Sequence, residues 1–166
     1  MTDTQGRLFD ERFLDRHAGS IIHDPAVSIV ELVANAWDAW ATRVEVVWPE
    51  QGGSRVFSIT DNGKGLTETE FRRRWGTFDY NKHAEEGPVS APPPELAQFA
   101  GRRAYGRNGR GRHAAFRFGD TYRVRTWRDG VELIFEVRRD VAKAFDFELI
   151  SKREVPPGHG TEISTA

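Results

Sequence analysis

The stretch Val27-Ser-Ile-Val-Glu31-Leu-Val-Ala-Asn35-Ala-Trp-Asp38-Ala-Trp-Ala41 decides the fold prediction, because its apolar residues occupy nearly every side of a helix. These residues supply enough side-chain volume to bury the helix deeply: Ile29, Leu32, Val33, Ala36, Trp37 and Trp40. The preceding pair predicts where the helix begins, since Asp24 is a good N-cap and Pro25 suits the first helical position. We therefore predict a buried helix that runs from Pro25 to Ala41.

Three polar residues interrupt this apolar helix: Glu31, Asn35 and Asp38. At about 100° per residue, steps of four and then three residues place them on one narrow stripe. A buried carboxylate without a partner is costly or shifts its pKa. The stripe therefore predicts a hydrogen-bonded network, a metal site or a ligand site, and the simpler alternative is a solvated helix face.

Composition limits the class of protein. The 166 residues, 38% of them hydrophobic, suit one compact domain. The net charge of −1 identifies no partner, although the stretch Gly101–Arg128 contains nine arginines and one acid, Asp120. The absence of cysteine excludes disulfides and thiolate metal sites. No segment has the length of a membrane span and no signal peptide is recognisable, so we expect no membrane partner and a cytoplasmic location.

A second motif follows a predicted β-hairpin, whose strands are the alternating residues 44–48 and the run 56–60, joined by a turn at 51–54. The second strand continues into Asp61-Asn-Gly63-Lys-Gly65. Glycines at alternate positions let the backbone turn sharply and approach a ligand closely. An ordinary turn is the alternative, since Asp-Asn-Gly is common in turns.

The middle of the chain combines a helix with an irregular insertion. Thr67-Glu-Thr-Glu70 predicts the start of a helix that carries Phe71 and Trp75. From about residue 76 to 100 we expect a mobile insertion, because prolines between Gly87 and Pro94 disfavour both helix and central strand.

A third motif, Tyr105-Gly106-Arg107-Asn108-Gly109-Arg110-Gly111-Arg112, precedes a predicted helix at 113–118. A glycine-rich turn that leads into a helix start can bind an anion through free backbone N–H groups. Its spacing is neither the dinucleotide fingerprint nor a P-loop, and an ordinary loop is the alternative. Strands are then predicted at 122–127, 131–137, 145–150 and 161–163, the first two joined by a turn at 128–130.

In this order, the motifs resemble those of the GHKL superfamily, which includes gyrase B subunits, ninety-kilodalton heat-shock chaperones, histidine kinases, MutL and the related MORC ATPases. The resemblance covers the chain from about Asp24 to Ile163. Its carriers are Glu31-x3-Asn35-x2-Asp38, Asp61-x-Gly63-x-Gly65, Gly106-x2-Gly109-x-Gly111, Gly160-Thr161-Glu162 and, less closely, the segment Trp75–Lys82.

The resemblance implies an α+β fold of the Bergerat type, a two-layer sandwich in which helices cover one face of a mixed, mostly antiparallel sheet. Residues 1–166 would form a single ATP-binding domain, with residues 76–100 as a mobile ATP lid. Because many relatives take a phosphate-contacting lysine from a following domain, we expect this chain to be the N-terminal part of a longer protein.

The resemblance also implies roles for individual residues. Glu31 would be the general base, Asn35 would bind Mg²⁺, Asp38 would stand beside the wall of the base pocket, and Asp61 would accept from the adenine amino group. Further nucleotide-binding residues would be Gly63, Gly65, Lys82, Gly106, Arg107, Asn108, Gly109, Arg110, Gly111 and Thr161.

The expected function is Mg²⁺-dependent ATP binding and hydrolysis that drives a conformational or dimerisation switch, with a nucleotide-driven homodimer formed through lid regions or regions beyond this chain. One alternative is a phosphotransfer domain of the histidine-kinase type. Another is a non-hydrolysing nucleotide- or DNA-binding module, which the basic stretch 102–128 supports weakly.

Overall fold

The computed structural model describes residues 19, 21–49, 56–77, 87–105, 110–140 and 144–165. The helices are α1 (Pro25–Asp38) and α2 (Glu68–Gly76), with 3₁₀ segments at Pro94–Leu96 and Arg110–Arg117. The strands are β1 (Val44–Val47), β2 (Ser58–Asp61), β3 (Val89–Ser90), β4 (Arg102–Arg103), β5 (Thr121–Arg128), β6 (Val131–Asp140), β7 (Ala144–Glu154) and β8 (Gly160–Thr165).

Six of these strands form one sheet in the order β1-β2-β8-β5-β6-β7, and β3 and β4 form a separate two-stranded sheet. Every neighbouring pair of strands in the larger sheet is antiparallel. The pairing of β2 with β8 places Asp61 opposite Thr161, although the two residues are far apart in sequence. The predicted α+β sandwich with a mostly antiparallel sheet is therefore confirmed.

The hydrophobic core lies between one face of this sheet and the helices. Alternate residues of β5 and β6 point into it, among them Val124 and Phe135, both fully buried. Phe71 of α2 stacks on Phe135 at a centroid distance of 3.7 Å and on Trp75 at 4.2 Å. This aromatic stack therefore joins α2 to the centre of the sheet.

Helix α1 begins as predicted, because the Asp24 carboxylate accepts hydrogen bonds from the backbone N–H groups of Ala26 and Val27. Two other predictions for this helix are wrong. It ends at Asp38 instead of Ala41, since Trp40 adopts a left-handed conformation with φ of 64°. It is also not buried on nearly every side: Val33 is 37% exposed and Trp37 is 48% exposed.

The predicted start of α2 is confirmed by a capping box in which the Thr67 hydroxyl and the Glu70 carboxylate bond each other's backbone N–H groups. The proline-containing insertion has more regular structure than predicted, because residues 89–90 and 102–103 pair as β3 and β4. The helix after the glycine-rich motif is a 3₁₀ helix. The predicted turn at 51–54 lies outside the described residues. Among the residues that the structure describes, no helix is long and apolar enough to cross a membrane.

We predict that Phe71→Ala lowers the free energy of unfolding by about 3–5 kcal/mol, because it removes a buried ring and leaves a cavity between α2 and β6. Thr69→Ala, at an exposed position of the same helix, is the control and should change stability by less than about 0.5 kcal/mol. Urea unfolding measures both values. Equal effects of the two substitutions would contradict the assigned role of the aromatic stack.

Candidate functional site

The polar stripe of α1 is neither fully solvated nor fully buried. Glu31 is partly exposed and Asn35 is exposed, whereas Asp38 is buried with 7% of its surface accessible. The Asp38 Oδ1 atom accepts a hydrogen bond of 2.8 Å from the backbone N–H of Tyr105. Asp38 therefore connects α1 to the first residue of the glycine-rich third motif.

The end of that third motif lies directly against the first. A Cβ atom at position 111 would overlap Oε2 of Glu31 and would lie 3.3 Å from the Glu31 Cβ atom. Gly111 thus allows the backbone of the 3₁₀ helix to approach the Glu31 side chain more closely than any other residue would. The structure brings together a carboxylate and a glycine that are eighty residues apart in sequence.

The second motif packs on the C-terminal end of the same helix. A Cβ atom at position 63 would lie 2.8 Å from both the Cβ and the carbonyl oxygen of Ala39, so only glycine fits there without a shift. The backbone N–H of Lys64 donates to the Ala39 carbonyl at 2.8 Å. The Gly63 N–H donates in turn to Oδ1 of Asp61 at 2.7 Å, which fixes the orientation of that carboxylate.

Strand β8 completes this end of the site. Thr161 is partly buried and pairs with Asp61 across the sheet. His159 Nδ1 lies 2.7 Å from the carbonyl oxygen of Gly63, which can only accept, so Nδ1 carries the proton. Gly65 has a positive φ of 65°, which explains a glycine at this predicted position.

Two carboxylates of the site have raised pKa values. Burial raises the pKa of Asp61 to about 6, although the hydrogen bond from the Gly63 N–H and the nearby His159 act in the opposite direction. Burial also raises the pKa of Glu31, and the negative charge of Asp38 adds to this effect. Both groups therefore hold a proton more readily than an exposed carboxylate does.

Several predicted residues cannot be placed. Lys82, Gly106, Arg107, Asn108 and Gly109 lie outside the described residues, as does the side chain of Arg110, whose backbone begins the 3₁₀ helix.

Sequence reasoning missed two contacts of the site. One is the hydrogen bond from the Tyr105 backbone N–H to Asp38, which the sequence does not predict because its donor is a backbone group. The other is the contact of His159 with Gly63. The position of His159 just before Gly160-Thr161 was the available signal for the second contact.

The arrangement suits a nucleotide with its metal ion. Backbone segments approach closely at positions 63 and 111, and Asp61 supplies a desolvated acceptor. In the described part of the chain, no three or more His, Asp or Glu side chains form a group that could hold a metal ion by themselves. Mg²⁺ commonly binds through one or two protein oxygens together with phosphate oxygens, and Asn35 and Glu31 lie one helical turn apart.

Comparison with known sequences identifies related proteins. Residues 23–164 match the family described as histidine kinase-, DNA gyrase B-, and HSP90-like ATPase. Over 53 residues, the chain is 47% identical to the DNA mismatch repair protein MutL of Shewanella loihica and 49% identical to that of Xanthomonas axonopodis. Each of these matches covers 32% of this chain and 8% of the MutL protein, so the similarity spans a small part of those relatives.

Comparison with solved structures supports the fold. The crystal structure of the N-terminal domain of a DNA repair protein superimposes with a TM-score of 0.53 and 17% sequence identity. The superposition covers 91% of this chain and 38% of that protein. At this level of identity the likeness concerns the fold.

We predict that Asp61→Asn stabilises the ligand-free protein at neutral pH. The pKa of Asp61 is about 6 in the folded protein against an ordinary value of 3.8, so its ionisation lowers stability as the pH rises through this interval. The variant should be more stable than the wild type by on the order of 2 kcal/mol at pH 7 and nearly equal to it below pH ~4, after allowance for solvent screening.

Urea unfolding at several pH values measures this difference. Asp129→Asn is the control, since Asp129 is exposed in the turn after β5 and asparagine tolerates its positive φ. A loss of stability in Asp61→Asn at pH 7 would contradict the prediction, because it would mean that the ionised carboxylate stabilises the fold.

Proposed function

Because the chain belongs to the family of histidine kinase-, DNA gyrase B- and HSP90-like ATPases, we propose that it binds ATP with Mg²⁺ and hydrolyses it. The observation that carries the proposal is the contact between Gly111 and Glu31. The last glycine of the glycine-rich third motif lies beside the carboxylate that would activate water. Hydrolysis requires these two features to be neighbours.

The phosphate end of the site would be formed by α1 and the third motif. Backbone N–H groups around Gly111, and those of Gly106 and Gly109, would hold the phosphates, since no side chain obstructs them. Lys82, Arg107, Asn108 and Arg110 would add donors or positive charge there. When bound, Mg²⁺ would neutralise phosphate charge, and Asn35 would hold it through its amide oxygen.

Glu31 would act as the general base. Its raised pKa supports this role, because a carboxylate with a higher pKa accepts a proton from water more readily. The proton of the attacking water would pass to the Glu31 carboxylate as the new oxygen–phosphorus bond forms and the bond between the β- and γ-phosphates breaks. Its position one turn before Asn35 would keep the base and the metal ligand side by side.

The adenine end would be formed by the second motif. Asp61 would accept a hydrogen bond from the adenine amino group, and the bond from Gly63 holds its carboxylate in place. Gly63 and Gly65 would let the base and ribose approach the backbone. The packing of Gly63 on Ala39 and the positive φ of Gly65 would keep this backbone in position. Thr161 would support Asp61 from β8, and Asp38 would stand beside the base pocket.

The output of hydrolysis would be a conformational or dimerisation switch. The similarity to proteins named for DNA mismatch repair supports a role in handling DNA. In this proposal the switch would involve a homodimer that forms when nucleotide binds. Steady release of inorganic phosphate without a protein acceptor would separate this function from phosphotransfer. A filter-binding titration with DNA over a range of salt concentrations would test direct DNA binding.

We predict that Glu31→Gln and Asn35→Ala fail in different ways. Glu31→Gln removes the proton acceptor and keeps the binding groups, so ATP hydrolysis should fall by roughly 10²–10⁴-fold while ATP affinity changes little. Asn35→Ala removes the metal ligand, so affinity for Mg·ATP and turnover should fall together. Calorimetric titration and phosphate release measure the two quantities.

The wild type in the same titration tests the proposed function itself, since undetectable binding of Mg·ATP would overturn it. Equal losses of thermal stability in both variants, with and without Mg·ATP, would instead indicate that the two residues only complete a structural network.

We predict that Gly111→Ala lowers turnover without unfolding the protein. The new methyl group would displace the Glu31 carboxylate, which sits at the end of a flexible side chain and can move at small cost. Turnover should fall by roughly tenfold or more because the base leaves its position, and the melting temperature should stay close to that of the wild type. Gly76→Ala is the matched control, since a Cβ atom there meets no neighbour within 4 Å. Unchanged turnover in Gly111→Ala would contradict the proposed role of this contact.

A further inference from the structure

Two tryptophans of α1 and its C-terminal turn hold an arginine from the small sheet. The Arg102 guanidinium carbon lies 4.3 Å from the ring centroid of Trp37 and 4.6 Å from that of Trp40. The same guanidinium donates through Nη1 to the carbonyl oxygen of Ala41 at 2.8 Å and to that of Trp37 at 3.2 Å. We call Trp37, Trp40 and Arg102 the tryptophan clamp.

The clamp fixes one rung of the small sheet. Ser90 of β3 pairs with Arg102 of β4, and the Ser90 hydroxyl oxygen accepts a hydrogen bond of 2.8 Å from Trp40 Nε1. Trp37 Nε1 donates to the carbonyl oxygen of Arg103 at 3.1 Å. The side chains of Trp37, Trp40 and Arg102 therefore bond both strands of the small sheet to the end of α1.

The backbone of Trp40 is strained in a way that serves this contact. Its φ of 64° is uncommon for a bulky residue and persists only where the surroundings over-determine it. The ring of Trp40 is buried, contacts Arg102 and donates to Ser90. The left-handed conformation of Trp40 stops α1 from continuing, and it also orients the indole toward the small sheet.

Arg102 also suits the end of a helix. The helix dipole favours a positive charge at the C-terminal end of a helix. The Arg102 guanidinium supplies that charge. It donates to the carbonyl of Trp37, which also accepts from the Trp40 N–H, and to the carbonyl of Ala41, three residues beyond the end of α1. Three residues later, the Tyr105 N–H donates to Asp38, and the glycine-rich motif follows directly.

We propose that Arg102 is a positioning residue that, through the tryptophan clamp, holds the chain entering the phosphate loop in its nucleotide-binding position. The role rests on the proposed function, because it assumes that residues 106–111 bind the phosphates of ATP. Arg102 itself touches no nucleotide in this proposal. It acts by keeping the Tyr105 N–H on Asp38, and so fixes where the glycine-rich loop begins.

The experiment compares Arg102→Ala with Arg103→Ala, which removes the same charge from the adjacent exposed residue of β4. Hydrogen exchange of the Tyr105 amide is measured without nucleotide, and KM and kcat for ATP hydrolysis are measured with Mg²⁺. Arg102→Ala should speed Tyr105 exchange and raise KM about tenfold with kcat within about twofold, because fewer molecules hold the binding-competent position. Arg103→Ala should match the wild type in all three measurements.

Two conservative variants keep the test decisive if Arg102→Ala folds poorly. Arg102→Lys keeps the charge but loses the planar stacking group, and Ser90→Ala removes only the acceptor for Trp40, so each should give a smaller rise in KM of about two- to fivefold. Unchanged Tyr105 exchange and KM in Arg102→Ala and Arg102→Lys would overturn the proposal.

Faster exchange throughout β5–β8 would also overturn it, because Arg102 would then act on global stability. If the wild type shows no ATP turnover, the proposed function fails, and a local rise in Tyr105 exchange would still establish the clamp as a structural tie.

Discussion

The close approach of three backbone segments to the second half of α1 is the constraint on which the site depends. Gly111 lies against Glu31, Gly63 against Ala39, and the Tyr105 N–H on Asp38. A Cβ atom at position 63 would collide with Ala39, and one at position 111 would displace the Glu31 carboxylate, so packing against one helix explains glycines in two separate motifs. The second and third motifs are therefore brought together in space by their contacts with α1 and the residue after it.

This packing makes ionisation of two carboxylates less favourable, as is common in ligand-binding sites. Burial raises the pKa of Asp61 and of Glu31, so both carboxylates are less stable in their ionised forms than exposed ones would be. A purely structural role would favour neutral side chains at these positions. Retaining buried charge at some loss of stability is typical of functional sites, where activity and stability compete.

Sequence reasoning recovered what local patterns encode and missed what distant contacts decide. The Asp24 cap and the alternation in β5 and β6 were predictable because they involve residues close together in the chain. The motif residues could be listed, but the contact of Gly111 with Glu31 could not be derived from spacing. The early end of α1 was missed because Trp40 adopts its left-handed conformation while contacting Arg102 and Ser90, which are distant in sequence. The exposure of Trp37 was missed because the apolar content of a helix does not show which of its residues meet the core.

Helix α1 also connects the residues of the candidate site to the small sheet. Its polar stripe carries Glu31 and Asp38, and a different side of the same helix carries Trp37. The segment from Arg102 to Gly111 starts at the clamp and ends at Glu31, so both of its ends rest on one rigid element. The clamp and the contact of Gly111 with Glu31 therefore fix the two ends of this segment relative to each other. The hydrogen bond from the Tyr105 N–H to Asp38 adds a third point of attachment to the same helix. Packed contacts of this kind resist gradual displacement, because each has few alternative arrangements.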